Sequence, residues 1–446
     1  METSQKSLRS LGGWPNYKNE HKEIPLNPRR KLLITWTLTI VFGLILLAVL
    51  TWANYRYVSE NPGGNDFLVH WVGTRGLLED GISPYSEETA IRIQTLAYGR
   101  PALPGEHELR VAYPLYSILV FFPFALFKNF LLARALWMTM LEIALVLLSV
   151  VSMRLADWKP RLLNLAFFLI FTVFWYHALR PLINGNAVIL VALMVAGALL
   201  AIRSGGDELA GVLLAFSTIK PQVVVVVVLF FLYWGFKQRR WRFVGWFFGT
   251  LALLSASAAL LVPDWIWQNF IEVVRYPGYN PPGTPGAALN TWLPGIGQRV
   301  GWTITGITVL LLLIEWYLGT RRFEYRHFLW AMCMTLAASQ WVGIQTDPGN
   351  YIVTMPALVL IFAVIEERWK SSGQWVVLGI MIFLFVGLWV LFLQTVSFGD
   401  QPVQSPVMIF PLPAFLLLFL YWGRWWAIHP PSTWFDTMLS NETRPR

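Results

Sequence analysis

From residue 32 to residue 424 the chain is a succession of long apolar runs separated by short polar stretches. An apolar helix of about 20 residues crosses a bilayer, and runs near that length recur at Leu32–Asn54 and Phe130–Met153. Others fall near 162–179, 187–203, 208–219, 222–236, 242–262, 301–319, 327–344, 350–365, 373–395 and 406–424. The pattern predicts an all-α, polytopic integral membrane protein with about 12 transmembrane helices. The first run is too long for a signal-peptide core, so it is expected to remain as an anchor after a polar tail, 1–31. The membrane domain then occupies 32–424, with a second tail at 425–446.

Charge orients these runs. Arg154, Lys159 and Arg161, then Arg203, then Lys237, Arg239, Arg240 and Arg242, then Arg321, Arg322 and Arg326, then Arg368 and Lys370 fall in alternate loops, and the basic N-terminal tail belongs to the same side. The opposite loops after the first hold only Arg180, Lys220, Arg275 and Arg299. Cytoplasmic loops carry the Lys and Arg excess, so both termini are expected inside, in a cytoplasmic (plasma) membrane. This arrangement requires that 111–127, interrupted by Pro114 and Pro123, enters or lies on the membrane without crossing. It leaves two long outside loops, 55–129 and 263–300, the second rich in Pro and Gly. The short runs flanking Lys220-Pro221 predict a broken helix, which a membrane protein tolerates where protein or a wet cavity covers the exposed backbone.

Composition narrows the function. Of 446 residues, 56% are hydrophobic and 13% charged, against about 25% charged in soluble domains. The net charge of +9 follows the inside loops, so no nucleic-acid partner is expected. One cysteine, Cys333, excludes an intrachain disulfide and a Cys-rich metal centre. The six histidines show no close ligand spacing, and no metal or cofactor is expected. No glycine-rich phosphate cradle opens a βαβ unit, so a donor substrate is expected to arrive through the lipid.

Chemistry-bearing residues gather in the outside segments. Asp66, about a dozen residues beyond the first span and followed by His70, Trp71 and Arg75, could act as a general base beside cations that receive a leaving phosphate. Capping of the helix that follows is the plainer reading of the same residue, and the two roles need not exclude each other. Leu77-Leu78 and Gly81 end that helix, and Ser83-Pro84-Tyr85 forms a turn that lays Tyr85 against the surface. Arg75, Arg110, Lys128, Arg134, Arg180 and Lys220 are the cations near the outer face. Lys220 is placed at a helix break, where it either serves a site or snorkels to headgroups, and Arg134 is expected to anchor its helix. Tyr113-Pro114 opens the re-entrant segment, and Asn184-Gly185-Asn186 is a loop-to-helix junction whose N–H groups could bind an anion or a sugar. Asp347 could cap the next helix or bind sugar hydroxyls. Glu142 and Glu315, inside apolar runs, need partners. Most tryptophans suit interfacial belts, with Trp71 and Trp292 placed to stack on sugar.

Together, Asp66-Phe67, Leu77-Leu78-x-x-Gly81-x-x-Pro84-Tyr85, Tyr113-Pro114, Asn184-Gly185-Asn186 and Ile219-Lys220-Pro221 resemble glycosyltransferase family 87. That family belongs to the GT-C class and includes polyprenyl-phosphate-mannose-dependent mannosyltransferases. The resemblance runs over roughly the first 250 residues. It implies inverting transfer of a sugar, mannose first among candidates, from a polyprenyl-phosphate donor to a hydroxyl of a lipid or glycan acceptor. Asp66 then stands as the base in an outer-side cavity, with Lys220, Arg180, Arg75, Tyr85, Tyr113, Asn186 and Asp347 as substrate-binding residues. The sequence carries Leu115 after Tyr113-Pro114, Asn186 after Gly185 and Ser83 before Pro84, where the family commonly has Pro, Gln and Asp. No histidine stands near Asp347 in sequence, where mannosyltransferase members lead one to expect it. A transporter or flippase of lipid-linked sugars is the alternative. Such a protein should show repeat symmetry and charges near mid-span.

Overall fold

The computed structural model describes residues 28–280, 283–321, 324–342, 344, 347–398 and 402–429. The chain enters as α1 (Pro28–Glu60), followed by α2 (Asn65–Asp80), α3 (Glu87–Tyr98), α4 (Ile118–Ala125), α5 (Phe130–Leu155), α6 (Leu162–Phe174) and α7 (Tyr176–Asn184). The middle of the chain forms α8 (Val188–Arg203), α9 (Asp207–Ser217), α10 (Pro221–Lys237), α11 (Trp241–Leu261), α12 (Trp265–Arg275) and α13 (Pro285–Trp292). It closes with α14 (Gly297–Arg321), α15 (Tyr325–Ala338), α16 (Met355–Thr395), α17 (Pro411–Trp422) and α18 (Arg424–Ile428). The strands described are a pair of two-residue segments, Ser397–Phe398 and Pro402–Val403.

The chain divides at Leu50–Thr51 into two units. The described part of the first is the N-terminal stretch of α1, whose large apolar side chains from Leu32 to Val49 are exposed. The second, Thr51–Arg446, holds the remaining elements and the buried core.

Among the described residues, five helical stretches are long and apolar enough to cross a membrane: Leu32–Glu60, Phe130–Leu155, Trp241–Leu261, Gly297–Arg321 and Pro348–Thr395. The last is interrupted at Lys370, whose φ of 48° breaks the helix between the two runs that the sequence separates. A sixth arises if α6 and α7, bent by 42°, count as one span. Val188–Arg203 and Pro221–Lys237 are apolar but shorter. Length alone therefore does not reach the expected dozen, because several apolar runs fold into broken or short helices. Leu115–Ala125, the region expected not to cross, has 11 residues of helix, about 16 Å against a hydrocarbon core of about 30 Å.

Helix ends sort into two sets. At one, Arg203 closes α8 and donates to the carbonyl of Leu155 at the end of α5, which also accepts from Tyr325 at the start of α15. At the other lie the starts of α2 and α5 and the α7–α8 and α9–α10 junctions. Two predicted loop features change. The α1 helix runs on past Asn54 to Glu60, and α18 forms where a tail was expected. The parts of the expected tails at 1–27 and 430–446 lie outside the described residues.

Both intramembrane carboxylates find partners. Glu315 accepts from Arg424 at 3.0 and 2.9 Å, and Glu142 accepts from Asn54 at 2.9 Å. Arg134 does not reach headgroups. It is 1% exposed and donates to the carbonyls of Asn61 and Ile183, tying α5 to the α1–α2 turn and the end of α7.

Candidate active site

Asp66 sits in the first turn of α2, but its side chain caps nothing. Gly64, with φ 79°, is the N-cap, and no side chain closes the helix start. Phe67 is fully buried and stacks on Trp137 at 5.3 Å, which anchors the turn and leaves Asp66 half-buried on the adjacent face. The end of α2 follows the expectation: Gly81 adopts φ 68°, and the N–H of Ile82 returns to the carbonyl of Gly76.

Opposite Asp66 lies the α7–α8 junction. Gly185 has φ 70°, and a Cβ there would stand 2.6 Å from the Cβ of Phe67, so the close approach of the two segments requires glycine. Trp137 Nε1 donates to the Gly185 carbonyl at 2.8 Å. The next residue, Asn186, donates from Nδ2 to Asp66 Oδ2 at 2.9 Å. Its Oδ1 accepts from Lys220 Nζ at 2.6 Å and from the N–H of Val188 at 2.9 Å. That backbone contact fixes which end of the amide faces which partner, since an N–H needs an acceptor.

Lys220 arrives from the α9–α10 break. Pro221 begins α10 and removes Lys220 from helical geometry, leaving it at φ −129°, ψ 75°. Only 3% exposed, Lys220 points inward and does not snorkel. Its ammonium lies 5.3 Å from the ring centre of Tyr113, whose hydroxyl is 3.5 Å from Asn186 Oδ1. Burial lowers the Lys220 pKa to about 8, opposed by the charges of Asp66 and Asp347. Tyr113 in turn packs on His70 at 4.1 Å, and Phe121 stacks on the same imidazole at 4.4 Å.

A second polar group adjoins the first. Arg180 forms an ion pair with Asp347 and donates to Gln404 Oε1 at 2.8 Å, which also accepts from the Tyr176 hydroxyl at 2.5 Å. Asp347 caps the 3-10 turn Pro348–Thr354 by accepting from the N–H of Gly349 at 2.6 Å, so it is both cap and ion-pair partner. Burial pushes its carboxyl up, but Arg180, the Gly349 N–H and Lys220 outweigh this and hold it below the usual range. Lys220 and Arg180 each interact electrostatically with both Asp66 and Asp347, so the two groups form one field.

Among the residues singled out from sequence, Asp66, Tyr113, Asn186, Lys220, Arg180 and Asp347 come together. Arg75 and Tyr85 do not reach this cluster with their side chains. Arg75 pairs with Glu79, donates to the Ala125 carbonyl at 2.9 Å and lies over Trp71 at 5.1 Å. Tyr85, 7% exposed, donates to the Tyr113 carbonyl at 2.7 Å and so supports the segment that carries Tyr113. Trp71 is 8% exposed and packs on Phe130, leaving no face for sugar, whereas Trp292 is exposed beside Phe410.

Sequence reasoning missed Gln404, Tyr176, His107 and Tyr276. The charge of Asp66 acts on both His107 and Tyr276, which brings the two long loops to the same place. Tyr276 beside Pro277 in a long Pro- and Gly-rich loop was a usable signal. Nothing local marks Gln404. A histidine does approach Asp347, from α7: His177 Nδ1 lies 2.7 Å from the Pro348 carbonyl. Among the described residues no group of His, Cys, Asp and Glu converges as a metal site.

These features define a polytopic membrane protein with carboxylates and cations gathered at the ends of broken helices. A match to glycosyltransferase family 87 covers residues 112–338, half of the chain, and the chain belongs to that family. It is a membrane glycosyltransferase. Tyr113, Arg180, Asn186 and Lys220 lie within the matched residues, and Asp66 and Asp347 lie outside them. No curated protein and no solved structure matches the chain.

Proposed function

We propose that the protein transfers a sugar, mannose first among candidates, from a polyprenyl phosphate to a hydroxyl of a lipid or glycan acceptor, with inversion, at the outer face of the cytoplasmic membrane. The observation that supports this best is the contact of Asp66 with Asn186 and, through it, with Lys220, beside the Arg180–Asp347 pair. Such an arrangement suits displacement of a phosphate by an alcohol. Asp66 takes the acceptor's hydroxyl proton, and the oxygen forms a bond to the anomeric carbon. The bond from that carbon to the phosphate oxygen breaks, and its electron pair leaves with polyprenyl phosphate. Phosphate charge rises by one in this step, and Lys220 and Arg180 are placed to receive it. The Lys and Arg excess in the loops opposite the Asp66 side supports a site on the outer face.

The test is transfer by purified protein in nanodiscs, supplied in turn with radiolabelled polyprenyl-phosphate mannose, glucose or arabinose and a membrane-lipid extract. Label moving from one donor to a lipid or glycan product supports the reading and names the sugar. Absence of transfer from every donor, with those donors bound and released intact, would favour lipid-linked sugar transport.

A further inference from the structure

The helix α12, in the second outside loop, is turned inside out relative to a water-facing amphipathic helix. Its polar side chains face the protein: Gln268 accepts from Ser83 at 2.6 Å, Asn269 donates to the Ala112 carbonyl at 3.0 Å, and the buried Glu272 accepts from Arg110 at 3.3 Å. Its apolar side chains face outward, with Ile266, Trp267, Phe270 and Val274 exposed by 63, 62, 55 and 63%. Positions i, i+1, i+4 and i+8 share one side of a helix, so these residues form one continuous stripe. Monomeric soluble proteins rarely leave such a patch in water.

Three observations identify what covers it. The membrane-spanning α11 ends at Leu261, and only Val262, Pro263 and Asp264 separate it from α12, so the stripe, which begins at Ile266, starts at most about 18 Å from the end of a span. Trp265 Nε1 donates to the Ser255 carbonyl on the last turns of α11 at 3.2 Å, which holds the two helices together. Leu253, Leu260 and Leu261, exposed apolar residues in the C-terminal half of α11, lead along the chain to the stripe. With 11 residues, α12 spans about 16 Å and cannot cross a core of about 30 Å. Tryptophan is the residue type that membrane–water interfaces favour.

We propose that α12 is an interfacial helix whose Ile266–Trp267–Phe270–Val274 face is immersed in the bilayer lipids at the end of α11. Its inward face then ties the lipid surface to the reaction site. Asn269 holds the carbonyl preceding Tyr113, and Trp265 packs edge-on against Tyr116 at 5.7 Å. The membrane thus sets the height of the segment that carries Tyr113. This holds whichever sugar the protein transfers.

The experiment is site-directed spin labelling of the full chain, one copy per nanodisc. The single native cysteine, Cys333, is fully buried, and unsubstituted protein serves as the blank. W267C and F270C are compared with E88C, an exposed polar position on α3. Power saturation with oxygen, which partitions into lipid, and with a water-soluble nickel chelate reads the surroundings. The expected result is an oxygen-to-nickel accessibility ratio several-fold higher at 267 and 270 than at 88. Equal ratios at all three positions overturn the proposal by placing α12 in water. Shielding of 267 and 270 from both reagents also overturns it, by showing that protein covers the stripe.

Discussion

Asp66 and Asn186, separated by 120 residues, meet through a 2.9 Å hydrogen bond, and the same amide carries the Lys220 ammonium on its other end. One neutral side chain therefore spaces a carboxylate from a cation and keeps them from collapsing into a direct ion pair. In the proposed mechanism the second carboxylate oxygen and the ammonium engage substrate.

Replacing Asp66 with Asn keeps the volume and removes the proposed base. Transfer should fall by about 10²- to 10⁴-fold while binding of the polyprenyl donor persists, measured by single-turnover transfer beside equilibrium donor binding. Unchanged transfer would take Asp66 out of the chemistry.

Lys220 carries its charge below about 8 and loses it above. If that charge receives the leaving phosphate, the rate should decline on the alkaline side of pH 8. K220R should move the decline upward, because a guanidinium stays protonated. An alkaline limb at the same pH in K220R would assign it to another group.

Burial lowers the pKa of His70 to about 3, with Lys220 adding to the effect. The unfolded chain binds a proton on this histidine below about 6.5, whereas the folded chain does not until about 3. The folded state therefore binds fewer protons across that window, and stability falls as pH falls. Between pH 7 and pH 4, the thermal midpoint of the unsubstituted protein should drop further than that of H70F, which keeps the ring contacts with Tyr113 and Phe121. Equal drops would show that His70 titrates freely.

At Gly185 the positive φ and the Phe67 contact act together. The G185A variant should lose about 1–3 kcal/mol of stability from backbone strain alone, seen as a lower thermal midpoint in nanodiscs. It should also lose activity, because displacing the junction moves Asn186 away from Asp66. Full stability and activity would show that α2 can retreat without cost.

The close approach at Gly185 is not legible in the sequence. Asn184-Gly185-Asn186 reads as a turn, but nothing local says that Phe67 lies against it. The capping role expected for Asp66 failed for a related reason. Gly64, two residues earlier, already takes the left-handed turn that starts α2, which frees the carboxylate for a partner far away in sequence. Asp347 does cap its turn, because the recipient N–H, on Gly349, is two residues away. Lys220 marked itself by its place beside Pro221, yet that position was equally compatible with headgroup contact. Arg134 looked like an anchor and proved to be a buried tie.

By itself the sequence determined the all-helical membrane class, the break at Lys220-Pro221, the short helix after Tyr113-Pro114 and the end of α2 at Gly81. Each follows from hydrophobic run length or from backbone restrictions that proline and glycine impose on their nearest neighbours. Only the tertiary structure decided which polar groups meet: Asp66 with Asn186, Arg180 with Asp347 across 167 residues and with Gln404 across 224. Those encounters depend on how bent and broken helices pack. A buried charge must find a partner wherever packing leaves it, so the partner's identity is a property of the assembled fold and carries no local signature.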